Sequence, residues 1–163
     1  MTVRTGLGYD IHRLADGRRL VLGGVEIEHP RGLLGHSDAD VLAHAVIDAL
    51  LGAAALGDIG THFPDTDEQY KDADSCALLA TVASMVRGHG FDILNVDSTV
   101  VARAPKLAPH IAPIRSRLAE AMDLPLDRVS VKAKTGDELG PVGEGRAIAA
   151  YAIALVRCGP EGD

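Results

Sequence analysis

The stretch from Arg146 to Arg157 constrains the fold most, because it is apolar on both faces of a strand. Side chains alternate along a strand, so Ile148, Ala150, Ala152, Ala154 and Val156 share one side and Ala149, Tyr151, Ile153 and Leu155 the other. A strand of this kind needs cover on both faces. The rest of the chain predicts three helices, enough to cover one face of a four- or five-stranded sheet and little more. The expectation is a single α/β domain: a mostly four-stranded mixed sheet, helices on one outer face, and a partner subunit over the other. A fully enclosed monomeric sheet is the alternative.

Hydrophobic and turn patterns place the other elements. Thr2 to Tyr9 and Arg19 to Glu28 read as strands, the second with a bulge or bend at Gly23-Gly24. Arg31 to His36 reads as a loop. Ser37, with Asp40 three residues on, resembles an N-cap, so a helix is expected from about Asp38 to Ala55 on a stripe of Leu42, Ala45, Val46, Ala49 and Leu50. A polar loop follows from Gly57 to Tyr70. Asp72 or Asp74 opens a second helix that Gly88 and Gly90 end. Ile93 to Arg103 and Val129 to Thr135 read as strands, with a third helix from Pro109 to about Met122. The domain is expected over residues 1–158, with a loose tail at 159–163.

Bulk properties narrow the function. Hydrophobic residues make up 47% of the 163, yet aromatics only 3% and Trp is absent, so Ala, Val, Leu and Ile must do the packing. The net charge of -7 argues against nucleic acid and anionic membranes as partners, which need a basic footprint. It permits phosphate ligands where metal ions and backbone N–H groups supply positive charge. No apolar run is long enough to span a bilayer, and no signal-peptide core is visible. Cys76 and Cys158 match no C-x-x-C pattern, which predicts reduced thiols in a cytoplasmic protein.

One constellation carries chemistry. Asp10 and His12 stand two apart on a strand, so they face one way while Ile11 is expected to point into the core. His44 approaches from the first helix. Asp40, His44 and Asp48 share a helix face, so either aspartate can hold the other imidazole nitrogen. Three O/N/N donors with one position open suit catalytic Zn²⁺, with Mn²⁺ or Fe²⁺ as competitors. His36 and Ser37 stand where a helix start favours an anion, or simply caps the helix. Gly57 and Gly60 allow close backbone approach or end a helix, and Phe63-Pro64-Asp65-Thr66-Asp67 reads as a surface loop or a lid. Lys106 is a loop cation, and Thr135 and Asp137 offer a hydroxyl and a carboxylate after a strand. The same residues would serve a phosphohydrolase using zinc-bound water or, less comfortably, a structural zinc site, which normally has four ligands rich in Cys.

The motifs become specific in their order: G-x-G-Y-D-I-H, G-L-L-G-H-S-D-A-D-V, L-L-G-A-A-A-L-G-D-I-G, H-F-P-D-T-D, N-V-D-S-T-V-V-A, A-P-K-L-A-P-H-I and V-K-A-K-T. From about Val3 to Val156 the chain closely resembles the 2-C-methyl-D-erythritol 2,4-cyclodiphosphate synthases of the non-mevalonate isoprenoid pathway. The resemblance implies a homotrimer with helices outside, sheets packed around a three-fold axis and active sites between subunits. It implies zinc on Asp10, His12 and His44, with Asp10 and His12 also at the substrate. Diphosphate contacts fall on His36 and Ser37, the methylerythritol segment on Asp58, Ile59 and Gly60, and a mobile flap on Phe63 to Asp67. A cytidine and phosphate pocket falls on Ala102, Arg103, Ala104, Pro105, Lys106, Leu107 and Ala108, with Lys134, Thr135 and Gly136. Asp137, where many members have Glu, lies near a Mg²⁺ or Mn²⁺ that bridges the substrate phosphates. His36 and Thr135 are the implied transition-state stabilisers.

By the same resemblance, the substrate is 4-diphosphocytidyl-2-C-methyl-D-erythritol 2-phosphate, a small cytidine diphosphate-linked molecule. Its 2-phosphate attacks the β-phosphorus and CMP leaves. One departure stands out: many members read G-R-G-E-x-I where this chain has Gly143, Glu144, Gly145, Arg146, Ala147 and Ile148, and Pro141 replaces a common aromatic. Those positions line the trimer axis, where some members hold an isoprenoid diphosphate. The exchange predicts that this chain does not bind one in the same way.

Overall fold

The computed structural model describes residues 2–158; the tail expected at 159–163 lies outside them. The described residues run β1 (Val3–Asp16), β2 (Leu20–Leu22), β3 (Val25–Ile27), β4 (Arg31–Leu33), α1 (Val41–Ala54), α2 (Ile59–His62), α3 (Ser75–Gly88), β5 (Phe91–Val101), α4 (Ile111–Met122), β6 (Val129–Lys134), α5 (Gly140–Gly143) and β7 (Ala147–Cys158). Five strands form one mixed sheet in the order β4-β1-β7-β5-β6, in which only β5 and β6 are parallel.

Three expectations are corrected here. The sheet has five strands rather than four, because Arg31–Leu33 pairs with the end of β1 instead of forming a loop. The single strand expected over Arg19 to Glu28 is a separate hairpin, β2–β3, that turns at Gly23-Gly24. Both glycines have positive φ, 56° and 73°, the backbone that a two-residue hairpin turn needs. The first helix begins at Val41, and its N-cap is Asp40 rather than Ser37.

The helices α1, α3 and α4 lie on one face of the sheet, with the core between. α1 is buried nearly all round, as a helix enclosed by sheet and neighbouring helices must be. Its seat on β1 is unusually close. A Cβ added at Gly8 would stand 1.8 Å from the Ala45 carbonyl oxygen, and one at Gly6 2.0 Å from that of Ala49. Helix backbone therefore rests directly on strand backbone. Two residues along the strand match four along the helix, because both cover roughly 6–7 Å. Continuing that match sets the first turn of α1, with His44, over Asp10.

The opposite face of the sheet is bare in the single chain. Val3, Leu7, Tyr9, Ile11, Tyr151 and Ile153 are all exposed there, Leu7 by 68% and Ile153 by 51%. Ile11 thus points away from the core, against expectation, because its face of β1 is the one without helices. The Tyr9 and Tyr151 rings pack together on this face, 4.9 Å between centroids. The doubly apolar character of β7 is real, but only its Ile148–Val156 side is covered along its whole length within the chain; on the other side Ala149 is buried while Tyr151 and Ile153 are exposed.

Candidate metal centre and cleft

The end of β1 and the start of α1 bring three donors together. Asp10 Oδ2 lies 2.8 Å from His12 Nε2 and 3.0 Å from His44 Nδ1, and the two nitrogens are 3.3 Å apart. Donors on a tetrahedral ion at 2.0–2.1 Å stand about 3.3 Å from one another, so the cluster has the dimensions of a metal site. Burial raises the Asp10 carboxyl, but hydrogen bonds from His12 and His44 outweigh it and hold the group well below the usual carboxylate range. Burial lowers His12, yet bonding to Asp10 raises it above the ordinary histidine value.

Each imidazole is held from behind. His12 Nδ1 donates to the Leu34 carbonyl at 2.9 Å, which leaves Nε2 for the cluster. His44 Nε2 faces Ser75 Oγ at 2.9 Å and Ser37 Oγ at 3.2 Å. Neither Asp40 nor Asp48 plays the role foreseen for it. Asp40 is fully buried and accepts from the backbone N–H groups of Gly23, Gly24, Leu42 and Ala43. It thereby ties the β2–β3 hairpin to the helix start. Asp48 accepts from Ile59 N at 2.8 Å and fixes the entry to α2.

The cluster opens into a cleft of about 450 Å³. Of the predicted site residues, Asp10, His12, His36, Ser37, His44, Ile59, Gly60, Phe63, Pro64 and Asp65 line it. Asp58, Thr66 and Asp67 sit on the same segments without lining it. Asp58 instead caps α2 through Thr61, and the Asp67 carbonyl accepts from His36 Nε2 at 3.0 Å. That bond fastens the end of the expected flap to the His36 loop, and Asp72 N to His36 O ties down the chain just beyond it. Tyr70 and Leu78 also line the cleft. They were not foreseen, and neither was Ser75, because nothing local in D-S-C-A-L-L marks a side chain aimed at a histidine 31 residues earlier.

The second group of predicted residues stands elsewhere. Ala102 to Ala108 follow β5; Lys134 ends β6, and Thr135 to Asp137 follow it. Ala102 and Leu107 are buried, so they offer backbone rather than side chain, whereas Arg103, Lys106, Lys134, Thr135 and Asp137 are exposed. Thr135 Oγ1 donates to Asp137 Oδ1 at 3.0 Å. The sheet register aligns Ile11, Ala149, Val101 and Lys134 in one row. Three strand spacings at 4.7–4.9 Å put the two groups roughly 14 Å apart at the same end of the sheet. One chain does not bring them together. The exchanged pair Glu144 and Arg146 bind each other at 2.6 Å.

A mixed α/β domain with an Asp/His/His cluster at the mouth of a cleft has the donor set and the open position of a metal-assisted enzyme. The comparisons with known proteins make this particular. The model of the YgbB family matches residues 3–157. The 2-C-methyl-D-erythritol 2,4-cyclodiphosphate synthase of Gloeobacter violaceus is 62% identical over 154 residues, 94% of each chain. That of Burkholderia mallei is 62% identical over 156 residues, 96% of each. Among solved structures, the bifunctional IspDF of Campylobacter jejuni superposes with a TM-score of 0.93 at 41% identity. The match covers 96% of this chain, which spans 42% of that longer protein. A cyclodiphosphate synthase in its CDP-bound form superposes with a TM-score of 0.87 at 38% identity, covering 94% of this chain and all of the other. The chain belongs to the YgbB family.

Proposed function

We propose that the chain converts 4-diphosphocytidyl-2-C-methyl-D-erythritol 2-phosphate to 2-C-methyl-D-erythritol 2,4-cyclodiphosphate and CMP, as a cyclodiphosphate synthase of the non-mevalonate isoprenoid pathway. The observation that carries this is the Asp10, His12 and His44 cluster open to a cleft, in a chain whose relatives carry that name over nearly their full length.

The reaction asks little of acids and bases. The nucleophile is a phosphate oxygen, already anionic because a monoester's second pKa is about 6, and the leaving group is a phosphate too. What remains is positioning and charge neutralisation. Asp10, His12 and His44 would hold Zn²⁺ or another divalent transition metal, and Asp137 would stand near a Mg²⁺ or Mn²⁺; these ions would supply Lewis-acid polarisation and neutralise charge. Ser37, at the cleft, donates a hydrogen bond to the diphosphate, and His36 does so once its Nε2–H leaves the Asp67 carbonyl. Ile59 and Gly60 shape the floor for the methylerythritol group, and the Phe63 to Asp67 flap closes over it. Thr135 and Lys134 serve the departing nucleotide, whose base rests on the Ala102 to Ala108 loop.

Because the two groups of residues lie about 14 Å apart in one chain, a complete site takes one group from each of two copies. The bare apolar face provides the contact for a homotrimer. Among the described residues no helix is long and apolar enough to cross a membrane, and free Cys76 and Cys158 accord with a cytoplasmic protein.

The test is to incubate the protein with substrate and Mg²⁺ and follow products by phosphorus NMR. CMP and the cyclic diphosphate are expected, and a strong chelator should abolish both. Inorganic phosphate with a linear product would mark a hydrolase instead, and full turnover by metal-free protein would refute the mechanism.

A further inference from the structure

Ser75 and Asp38 have no part in the reading above, yet they form a chain that runs from half-buried Asp38 through buried Ser75 to His44. Ser75 is fully buried at the start of α3. Its hydroxyl donates to Asp38 Oδ1, and its backbone N–H donates to Asp38 Oδ2 at 3.0 Å. An ionised carboxylate only accepts, so the one hydroxyl proton of Ser75 is committed to Asp38. Toward His44 Nε2, at 2.9 Å, Ser75 Oγ can then only accept. The proton of that contact belongs to Nε2. Nδ1, which faces Asp10 Oδ2 at 3.0 Å and His12 Nε2 at 3.3 Å, is the nitrogen left for a cation.

We propose that Ser75, backed by Asp38, is a positioning residue for the metal centre: it fixes His44 in the Nε2–H form and in the ring orientation that presents Nδ1 to the ion. The inference rests on the metal reading of the Asp10, His12 and His44 cluster. The arrangement parallels the Leu34 carbonyl behind His12, but with a carboxylate at its far end, which also makes Nδ1 the better donor. Such outer partners typically govern metal affinity by 10–100-fold. Ser37 Oγ, at 3.2 Å from the same nitrogen, is a second acceptor, so loss of the Ser75 hydroxyl falls at the lower end of that range. Asp38→Asn acts through polarity. If the new amide keeps the Ser75 N–H bond through its oxygen, its NH₂ group faces Ser75 Oγ. The hydroxyl then turns to donate to His44, and the proton moves to Nδ1.

The experiment is zinc competition against a chromophoric chelator, with long-range ¹H–¹⁵N NMR of the imidazoles in the zinc-loaded protein. Wild type should show a slowly exchanging Nε2 proton on His44. Ser75→Ala should fold with the wild-type oligomeric state, bind zinc about tenfold more weakly and lose the slow exchange, with turnover recovering at saturating zinc. Asp38→Asn should weaken zinc at least as much, which gives a second route should either variant be unstable. Wild-type zinc affinity and an intact Nε2 proton signal in folded Ser75→Ala would overturn the proposal alone. Failure of wild-type protein to take up zinc would overturn the metal reading and this inference together.

Discussion

Asp10 forms a stabilising ion pair with His12 and His44 in the metal-free chain; in the proposed metal-loaded state the same groups would be ligands, and pH separates the two. In the metal-free chain His12 is raised above its ordinary value by Asp10. Its contribution to stability is full below about pH 6.5 and is lost as pH rises through the raised value. Asp10, lowered by the two histidines, contributes above about pH 4 and loses this only in stronger acid. Asp40 acts in the same direction as His12. Burial pushes it up to about 6, so the unfolded chain ionises it first and stability falls between about pH 4 and 6. Metal-free protein should therefore melt several degrees higher at pH 5 than at pH 7.5 by calorimetry. Zinc requires neutral histidines, so its affinity should fall about tenfold per pH unit once His12 protonates, starting nearer neutrality than an ordinary histidine would set. The cluster of Asp10, His12 and His44 was legible in the sequence because D-x-H on a strand and a histidine on a helix have fixed directions. The partners behind them were not, because Ser75 and the Leu34 carbonyl reach the histidines through tertiary contacts.

At the level of elements, the contact of α1 with β1 sets the distance between His44 and Asp10. Gly8 and Gly6 leave room for helix backbone where any side chain would collide with it. Gly8→Ala should cost about 3 kcal/mol or more in urea unfolding, since overpacking against backbone cannot be relieved by a rotamer change. It should also lower zinc affinity by at least tenfold, because the first turn of α1 must lift away from the strand. A variant with wild-type zinc affinity would show that the seat of the helix does not set the site. The apolar stripe of α1 and the stops of α3 could be read from pattern. The cap of α1 could not, because Ser37 and Asp40 are both good caps by type; Asp40 takes the place by accepting from Leu42 N and Ala43 N while bonds to a hairpin 16–17 residues earlier hold it there. β4 was missed because a three-residue edge strand has too short a pattern to show alternation.

For the whole molecule, the exposed row of Leu7, Tyr9, Tyr151 and Ile153 is the main feature, since a contiguous apolar surface of this kind marks an interface. Ile153→Asp should turn the proposed trimer into monomers in sedimentation velocity and reduce turnover at least a hundredfold. It should leave zinc affinity within about twofold of wild type, because all three ligands come from one chain. Unchanged sedimentation would reject this face as the contact. The two-sided hydrophobicity of β7 points to this surface from residue order alone. The separation of the two residue groups does not follow from residue order, because it depends on the strand order β1-β7-β5-β6. That separation has a genetic consequence. A cell carrying one allele with His44→Ala and another with Thr135→Ala should regain part of the activity each allele lacks alone, since in the proposed trimer mixed assemblies contain junctions where both contributing halves are intact. Two alleles damaged in the same half, such as His12→Ala with His44→Ala, should never rescue each other.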